Sequence, residues 1–416
     1  MQLFFYNLSI FLYKAAILLA SPWNQKARLW VNGRKKNLAT IRQQAIGFNN
    51  TVWIHCSSLG EFEQGRPLLE NVKKQFPDHK IVLSFYSPSG YEIRKDYPQA
   101  NLVCYLPLDT KKNARHFLDS IRPSLVIFVK YDFWYHFLYA CKNRQIPLLL
   151  VSARFRKQQP FFQWYGGFHR RMLTCFTALF VQDSPSRDYL SAIGLTENVF
   201  VSGDTRFDRV GTIAEKFEPV AIIEAFCGRN PVLVAGSTWP KDERLIRRFI
   251  DHFPDVKLII APHEIDPAHL NDLKKLFPAS HTLSDIRDHP EKGVAQILII
   301  DNIGLLSKLY HYATFAFVGG GFDSGIHNIL EAAVFDKPVF FGPRFHKFRE
   351  ANDLLAAGGA FSVEDAASFK IAAEKILNNP DLLQKTSKIA GDYVRQQRGA
   401  TEKILSFIQE KRLLTS

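Results

Sequence analysis

With 416 residues, 46% of them hydrophobic and 22% charged, the chain is long enough for two domains with separate cores and has the balance of an ordinary globular enzyme. Cys56, Cys104, Cys141, Cys175 and Cys227 are scattered and form no C-x-x-C pair, which argues against a disulfide framework or a thiolate zinc site and for a reducing compartment. The formal charge of +13 asks for an anionic partner, but with no zinc finger, RNP-like motif or base-reading basic helix, nucleic acid is not the favoured one.

The distribution of that charge points elsewhere. No Asp or Glu precedes Glu61, whereas Lys14, Lys26, Arg28, Arg34, Lys35, Lys36 and Arg42 all do. The opening MQLFFYNLSIFLYKAAILLA has about the length needed to span a bilayer, interrupted by Asn7 and Lys14. Its positives follow the apolar stretch instead of preceding it, unlike a cleaved signal peptide, and Trp23 and Trp30 suit an interface belt. Residues 1–22 are therefore predicted to be a membrane anchor or interfacial helix, basic flanks against anionic lipid and the bulk of the protein cytoplasmic. A buried amphipathic core helix is the alternative.

Residues 23–208 alternate apolar runs with helical stretches. The predicted strands are Val52–Ile54, Lys80–Phe85, Leu102–Leu106, Ser124–Val129, Pro147–Val151, Thr177–Val181 and Val199–Ser202. Helices, among them Tyr131–Arg144, fall between them, so the pattern predicts a parallel sheet covered on both faces. The first strand runs through His55-Cys56-Ser57-Ser58-Leu59-Gly60 into a helix that begins at Glu61. Ser58 to Glu61 fits S-x-x-E, so Glu61 reads as a capping-box residue; the same strand-to-helix turn also suits a general base held at a cleft. Lys130-Tyr131-Asp132 and Arg154 sit at other strand ends.

A charged, weakly patterned stretch, 209–230, reads as a connection between domains. The alternation restarts over 231–395 with Val232–Ala235, and Ser237-Thr238-Trp239-Pro240 then opens a helix whose free N–H groups suit phosphate. Further strands end at Pro262-His263 and at Asp301-Asn302-Ile303-Gly304. The densest signal is FAFVGGGFDSGIHNILEAAVFDKPVFFGP, where Gly319-Gly320-Gly321 would let a ligand approach the backbone. Asn328-Ile329-Leu330-Glu331 is again either a capping box or a place where a carboxylate accepts from a ribose. A C-terminal helix over roughly Leu383–Leu413 is expected, with 396–416 crossing back to the first domain.

Together W-I-H-C-S-S-L-G-E, S-P-S-G-Y-E, V-S-A-R, G-D-T-R-F-D, A-G-S-T-W-P, A-P-H, D-N-I-G, V-G-G-G-F, H-N-I-L-E-A-A and F-G-P resemble, in order and spacing, the 3-deoxy-D-manno-octulosonic acid (Kdo) transferases of bacterial lipopolysaccharide synthesis. The resemblance implies an α/β GT-B fold, two doubly wound Rossmann-like domains facing a cleft. It implies CMP-Kdo as donor, a lipid A precursor as acceptor at the cytoplasmic face of the inner membrane, inversion, and no metal or other cofactor. By position, Glu61 matches the family's general base, Arg206 a transition-state-stabilising Lys, and Asp132 an acid of the neighbouring motif. Pro262 and His263 match a CMP-contacting Pro-Arg pair, Ile303-Gly304-Leu305 a Met-Gly-Glu segment, and Asn328 to Glu331 an Asn-Pro-Leu-Glu segment; Ser237 and Thr238 join this donor side. Three positions depart: Lys130 stands where the family has Glu, His263 where it has Arg, Leu305 where it has Glu. Rival readings are another GT-B enzyme using a UDP-sugar, a non-catalytic binding module, and a basic RNA-binding protein.

Overall fold

The structure is a computed structural model that describes residues 2–289 and 295–414. It divides into two compact units, Met1–Arg209 with Arg398–Ser416, and Val210–Gln397. All seven strands predicted for the first unit are present: β1 (Thr51–Cys56), β2 (Lys80–Phe85), β3 (Leu102–Tyr105), β4 (Pro123–Val129), β5 (Leu148–Ala153), β6 (Ala178–Val181) and β7 (Val199–Val201). They pair in parallel in the order β3-β2-β1-β4-β5-β6-β7. Their continuous apolar runs follow from burial on both faces, as parallel sheets require. Trp53, Val126 and Leu150 face one layer; Ile54, Ile127 and Leu149 face the other.

The second unit holds β8 (Val232–Thr238), β9 (Lys257–Pro262), β10 (Ser280–Thr282), β11 (Ile297–Ile299), β12 (Phe315–Val318), β13 (Val339–Phe341) and β14 (Ala360–Ser362). Their order is β10-β11-β9-β8-β12-β13-β14. Each sheet thus reverses its winding once, between β1 and β4 in the first unit and between β8 and β12 in the second. Loops leaving the carboxyl ends of two such strands diverge and open a crevice, the customary ligand position in open α/β sheets.

Two expectations need correction, and the stretch read as a connection carries more regular structure than its weak pattern announces. Residues 209–230 are mostly helical, Thr205–Glu215 and Ala221–Cys227, because Val210, Ile223 and Phe226 supply a short buried stripe beneath the charges. The C-terminal helix is two, Pro380–Gln396 and Ala400–Glu410, broken where Gly399 takes a φ of 105° that other residues resist. Tyr131–Trp134 forms a turn, and the helix begins only at Tyr135.

The helix Ala400–Glu410 belongs to the first unit, where Ile404, Leu405 and Ile408 join Val72 and Phe76 in one core layer. Its start is fixed by Asp208, whose Oδ1 accepts from Gly399 N–H at 2.7 Å and Oδ2 from Thr401 N–H at 2.6 Å. Asp208→Ala leaves both donors without that carboxylate and is expected to destabilise the unit by about 2 kcal/mol. Five of the six tryptophans lie in this unit, so fluorescence-detected urea unfolding follows it, and an unchanged midpoint would refute the expectation.

The helix Gln2–Ala20 is long and apolar enough to cross a membrane, and it is not a buried core helix, since Ile10 is its one buried residue. One side is fastened to the first unit. Tyr6 Oη donates to Asp109 Oδ2 at 2.5 Å, Asn7 Oδ1 meets His136 Nε2 at 2.7 Å, and Arg171 donates to Gln2 Oε1 at 2.8 Å. The other side exposes Leu3, Phe4, Phe5, Leu8, Phe11, Leu12 and Leu19.

Candidate functional site

The apolar run of β1 carries the chain to the reversal point and Ser57-Ser58 turns it into the helix Leu59–Gln75. Glu61 is the third helical residue, and its Oε2 accepts from Ser58 N–H at 3.2 Å, so the capping role exists. The same carboxyl is pushed up to about 7, first by burial and then by the charge of Asp132; the Ser57 and Ser58 N–H groups and Lys130 act the other way. A carboxyl half-ionised near neutral pH is well matched to accepting a proton from a hydroxyl as it reacts. Capping and base strength therefore reside in one side chain.

Asp132 reaches this place from β4, the strand across the reversal. Val129 ends the strand, Lys130 adopts a left-handed φ of 72°, and the turn brings Asp132 Oδ2 to 2.6 Å from His55 Nε2. His55 Nδ1 lies 2.8 Å from Ser84 Oγ, which accepts the Trp53 indole N–H at 2.7 Å. Lys130 Nζ lies 5.6 Å from the centroid of the Tyr131 ring. Ser152, at the end of β5, is also left-handed, at 54°. Two non-glycine residues in this region, on adjacent strand ends, store strain where function is commonly built.

Arg206 lies in the first turn of the helix Thr205–Glu215, which follows β7. Its Nε and Nη2 lie 2.9 and 2.8 Å from Asp204 Oδ2, which fixes the guanidinium and leaves it half-exposed. Thr205 Oγ1 donates to the Gln64 carbonyl at 2.6 Å, tying this helix to the one that carries Glu61. Arg154 Nε stands 3.3 Å from Asp183 Oδ2, and Arg154, Arg156 and Arg206 all bear electrostatically on Tyr131. The first unit thus gathers Glu61, Asp132, Lys130, Arg154 and Arg206 at the carboxyl ends of neighbouring strands. His55 and Ser84 are site residues that the sequence does not single out. His55 is visible only as one letter of W-I-H-C-S-S-L-G-E, and Ser84 gives no signal, since its role depends on the β1–β2 register that pairs it with His55.

In the second unit the residues behave less uniformly. Thr238 is fully buried and donates to Glu243 Oε1 at 3.1 Å. The helix Pro240–Ile250 is already supplied with acid: Asp242 Oδ2 accepts from Trp239 N–H and from Gly320 N–H, both at 2.9 Å. Burial pushes Asp242 up to about 6. The phosphate role read for this helix start therefore rests on Ser237, half-exposed with φ 52°. The glycines also have another reason. A Cβ on Gly319 would lie 2.3 Å from Ser237 O and one on Gly321 2.6 Å from Gly342 N, so close protein backbone by itself requires glycine at both positions.

Pro262 is buried at the end of β9, and the exposed His263 ring stacks on Trp239 at 4.8 Å and on His327 at 4.4 Å between centroids. Trp239 Nε1 donates to His327 Nε2 at 3.0 Å, and burial, with His263 beside it, pushes His327 down to about 4. His263 is lowered too, chiefly by burial, so this face is neutral where an Arg would be cationic. Ile303 is exposed, Gly304 takes a φ of 95°, and Leu305 precedes the helix Leu306–Leu309. Ile329 and Leu330 are core residues and can offer a ligand only backbone. No capping box forms at Asn328: its Oδ1 accepts from Leu330 N–H at 3.3 Å while its Nδ2 donates to Glu331 Oε1 at 3.1 Å, because the helix starts only at Leu330. Among the described residues no cluster of three or more His, Cys, Asp or Glu could hold a metal.

Comparison with known proteins adds the following. Residues 24–209 match the family model described as 3-deoxy-D-manno-octulosonic-acid transferase (kdotransferase). A bifunctional glycosyltransferase/methyltransferase of Fusobacterium nucleatum is 26% identical over 427 residues, an alignment that spans 98% of this chain and 62% of that protein. The 3-deoxy-D-manno-octulosonic acid transferase of Rickettsia felis is 28% identical over 371 residues, 86% of this chain and 75% of that one. Among solved structures, a UDP-GlcNAc 2-epimerase from Neisseria meningitidis bound to UDP-GlcNAc superposes with a TM-score of 0.61 at 15% identity, over 86% of this chain and 100% of that one. That likeness is one of fold, the two-domain GT-B architecture expected from the sequence.

Proposed function

We propose, from the premise that this chain is a glycosyltransferase related to the Kdo transferases, that it moves Kdo from CMP-Kdo to a lipid A precursor in lipopolysaccharide synthesis, with inversion. The observation that carries the reading is the β1/β4 reversal, where a carboxyl poised near neutrality, Glu61, is flanked by the charges of Asp132 and Lys130. Departure of CMP leaves an oxocarbenium-like centre, and the attacking acceptor hydroxyl must lose its proton; Glu61 takes it. Arg206, held rigid by Asp204, meets charge developing on the departing phosphate, and no resident metal is needed for the step. On the donor side, His263, Gly304, the Asn328–Glu331 segment and Ser237 are the groups offered to the nucleotide, by side chain or backbone.

The test is release of CMP from CMP-Kdo by the purified protein, with and without a tetraacylated lipid A precursor. Acceptor-dependent release is the expected result. Release from a UDP-sugar and none from CMP-Kdo would transfer the chain to the other GT-B class.

For the same reading, the helix Gln2–Ala20 lies along the cytoplasmic surface of the inner membrane instead of passing through it. Its Tyr6, Asn7 and Gln2 bonds hold it to the protein, and its free apolar side with the acid-free basic flank suits an anionic lipid surface. Full burial of a Phe is worth about 1.5–3 kcal/mol, so Phe4→Asp with Phe11→Asp should weaken partition onto anionic vesicles by at least roughly tenfold. Wild-type protein should be extracted from membranes by alkaline carbonate; resistance would indicate a spanning helix.

A further inference from the structure

We infer that Trp53, Ser84 and His55 form a positioning chain that locks the Asp132 carboxylate next to Glu61, and that Lys130 opposes Asp132 from the same turn. The inference rests on Glu61 being the base and names what sets its strength.

With Asp132 ionised and the His55 ring neutral, the direction of each hydrogen bond follows from the donors and acceptors present. A carboxylate oxygen only accepts, so at the 2.6 Å contact His55 Nε2 carries the proton. In a neutral imidazole Nδ1 is then the acceptor, and the group 2.8 Å away, Ser84 Oγ, must donate to it. The indole N–H of Trp53 only donates, and it occupies a lone pair of the same hydroxyl. Donation then runs one way, Trp53 to Ser84 to His55 to Asp132, with the tautomer set by the carboxylate and the Ser84 hydroxyl held in place by the indole.

The chain is rigid. Trp53, Ser84 and His55 are fully buried, and Trp53 is held edge-on by Phe117, Phe128 and Phe137 at 4.9, 5.2 and 5.7 Å. Trp53 and His55 share one face of β1, two residues apart, and Ser84 is the β2 partner of His55. Asp132 itself lies in a turn, where an aspartate without such a partner would swing to water. Buried polar side chains in an otherwise apolar layer are costly unless they do something a hydrophobic trio would not.

The groups facing Glu61 can be named. Asp132 and Lys130 approach from β4, the Ser57 and Ser58 N–H groups come from its own turn, and the Cys56 thiol of β1 is kept neutral by burial. Glu63, two residues on, is engaged by Arg66, Arg94 and Arg209. Among the described residues, Asp132 and Lys130 are the charged groups that bear on Glu61, with opposite effects. The negative one raises its hold on a proton and the positive one lowers it, in accord with the directions found.

The test reads Glu61 itself. In the full chain labelled with carbon-13 at the Glu side-chain carboxyl, the signal missing from Glu61→Gln is titrated. The wild-type midpoint should lie near 7. Asp132→Asn should lower it by roughly one pH unit and Lys130→Met should raise it. His55→Phe should lower it as Asp132→Asn does, whereas His55→Gln, whose amide can still donate to Asp132, should restore it. An unmoved midpoint in Asp132→Asn with an intact circular dichroism spectrum overturns the inference, as does identical behaviour of His55→Phe and His55→Gln, which would reduce His55 to packing. A responsive midpoint combined with normal turnover by Glu61→Gln would leave the coupling standing and remove the base assignment. An unresponsive midpoint with an inactive Glu61→Gln would do the reverse.

Discussion

Glu61→Gln is expected to lower kcat by roughly 10²–10⁴-fold, the usual contribution of a positioned general base, while leaving KM for the donor near its wild-type value. Glutamine is the informative substitution because it keeps an oxygen for the Ser58 N–H that Glu61 now satisfies. The helix start should survive, so lost turnover would not be a folding artefact. Stability gives an independent check with a definite sign. The folded protein holds the Glu61 proton more tightly than the unfolded chain does. The contribution of the glutamate therefore falls as pH rises from the ordinary carboxylate range through about 7. The variant should show a higher Tm than wild type at pH 8 and little difference at pH 4. A variant that turns over normally, or melts lower at pH 8, would return Glu61 to a purely structural cap.

Removal of Arg398–Ser416 should have a comparably large effect on folding. The segment places Ile404, Leu405 and Ile408 against Val72 and Phe76 in the core of the first unit. At about 1.5–3 kcal/mol each, three such side chains represent roughly 5–9 kcal/mol, the scale of a whole domain's stability. The truncated chain is expected to lose cooperative unfolding of the first unit, read from its tryptophans, and with it all transfer activity. A truncated protein that keeps a sharp fluorescence transition would show that the segment is dispensable.

Much of this architecture could be read from the amino-acid order because parallel strands buried on both faces are nearly pure apolar runs, as in Leu125–Val129 or Leu148–Val151. The strands that escaped notice, β10 and β14, are three-residue edge strands with mixed composition, Ser280-His281-Thr282 and Ala360-Phe361-Ser362, too short for any period to show. At the site, Glu61 was legible because a local turn signal and a helix pattern converge on it. Its raised proton affinity was not, since that comes first from burial in the folded chain and then from Asp132, which approaches from a strand about seventy residues on through the β1–β4 pairing. The glycine run 319–321 was legible as a tight place, but which neighbour comes close is decided by Gly342 and Ser237 on other strands. Thr238 looked available for a ligand because nothing local announces that its hydroxyl is spent on Glu243 five residues later.

A first unit that begins at the N-terminus and is completed by Arg398–Ser416 has a bearing on synthesis. At ~5–20 residues per second the ribosome needs roughly 10–40 s to pass from Arg209 to the completion of the segment Arg398–Ser416. Throughout that interval Leu68, Leu69, Val72 and Phe76 lack part of the layer that covers them in the finished molecule. Until residues 398–416 emerge, the first unit thus carries an apolar surface that this segment conceals in the folded molecule.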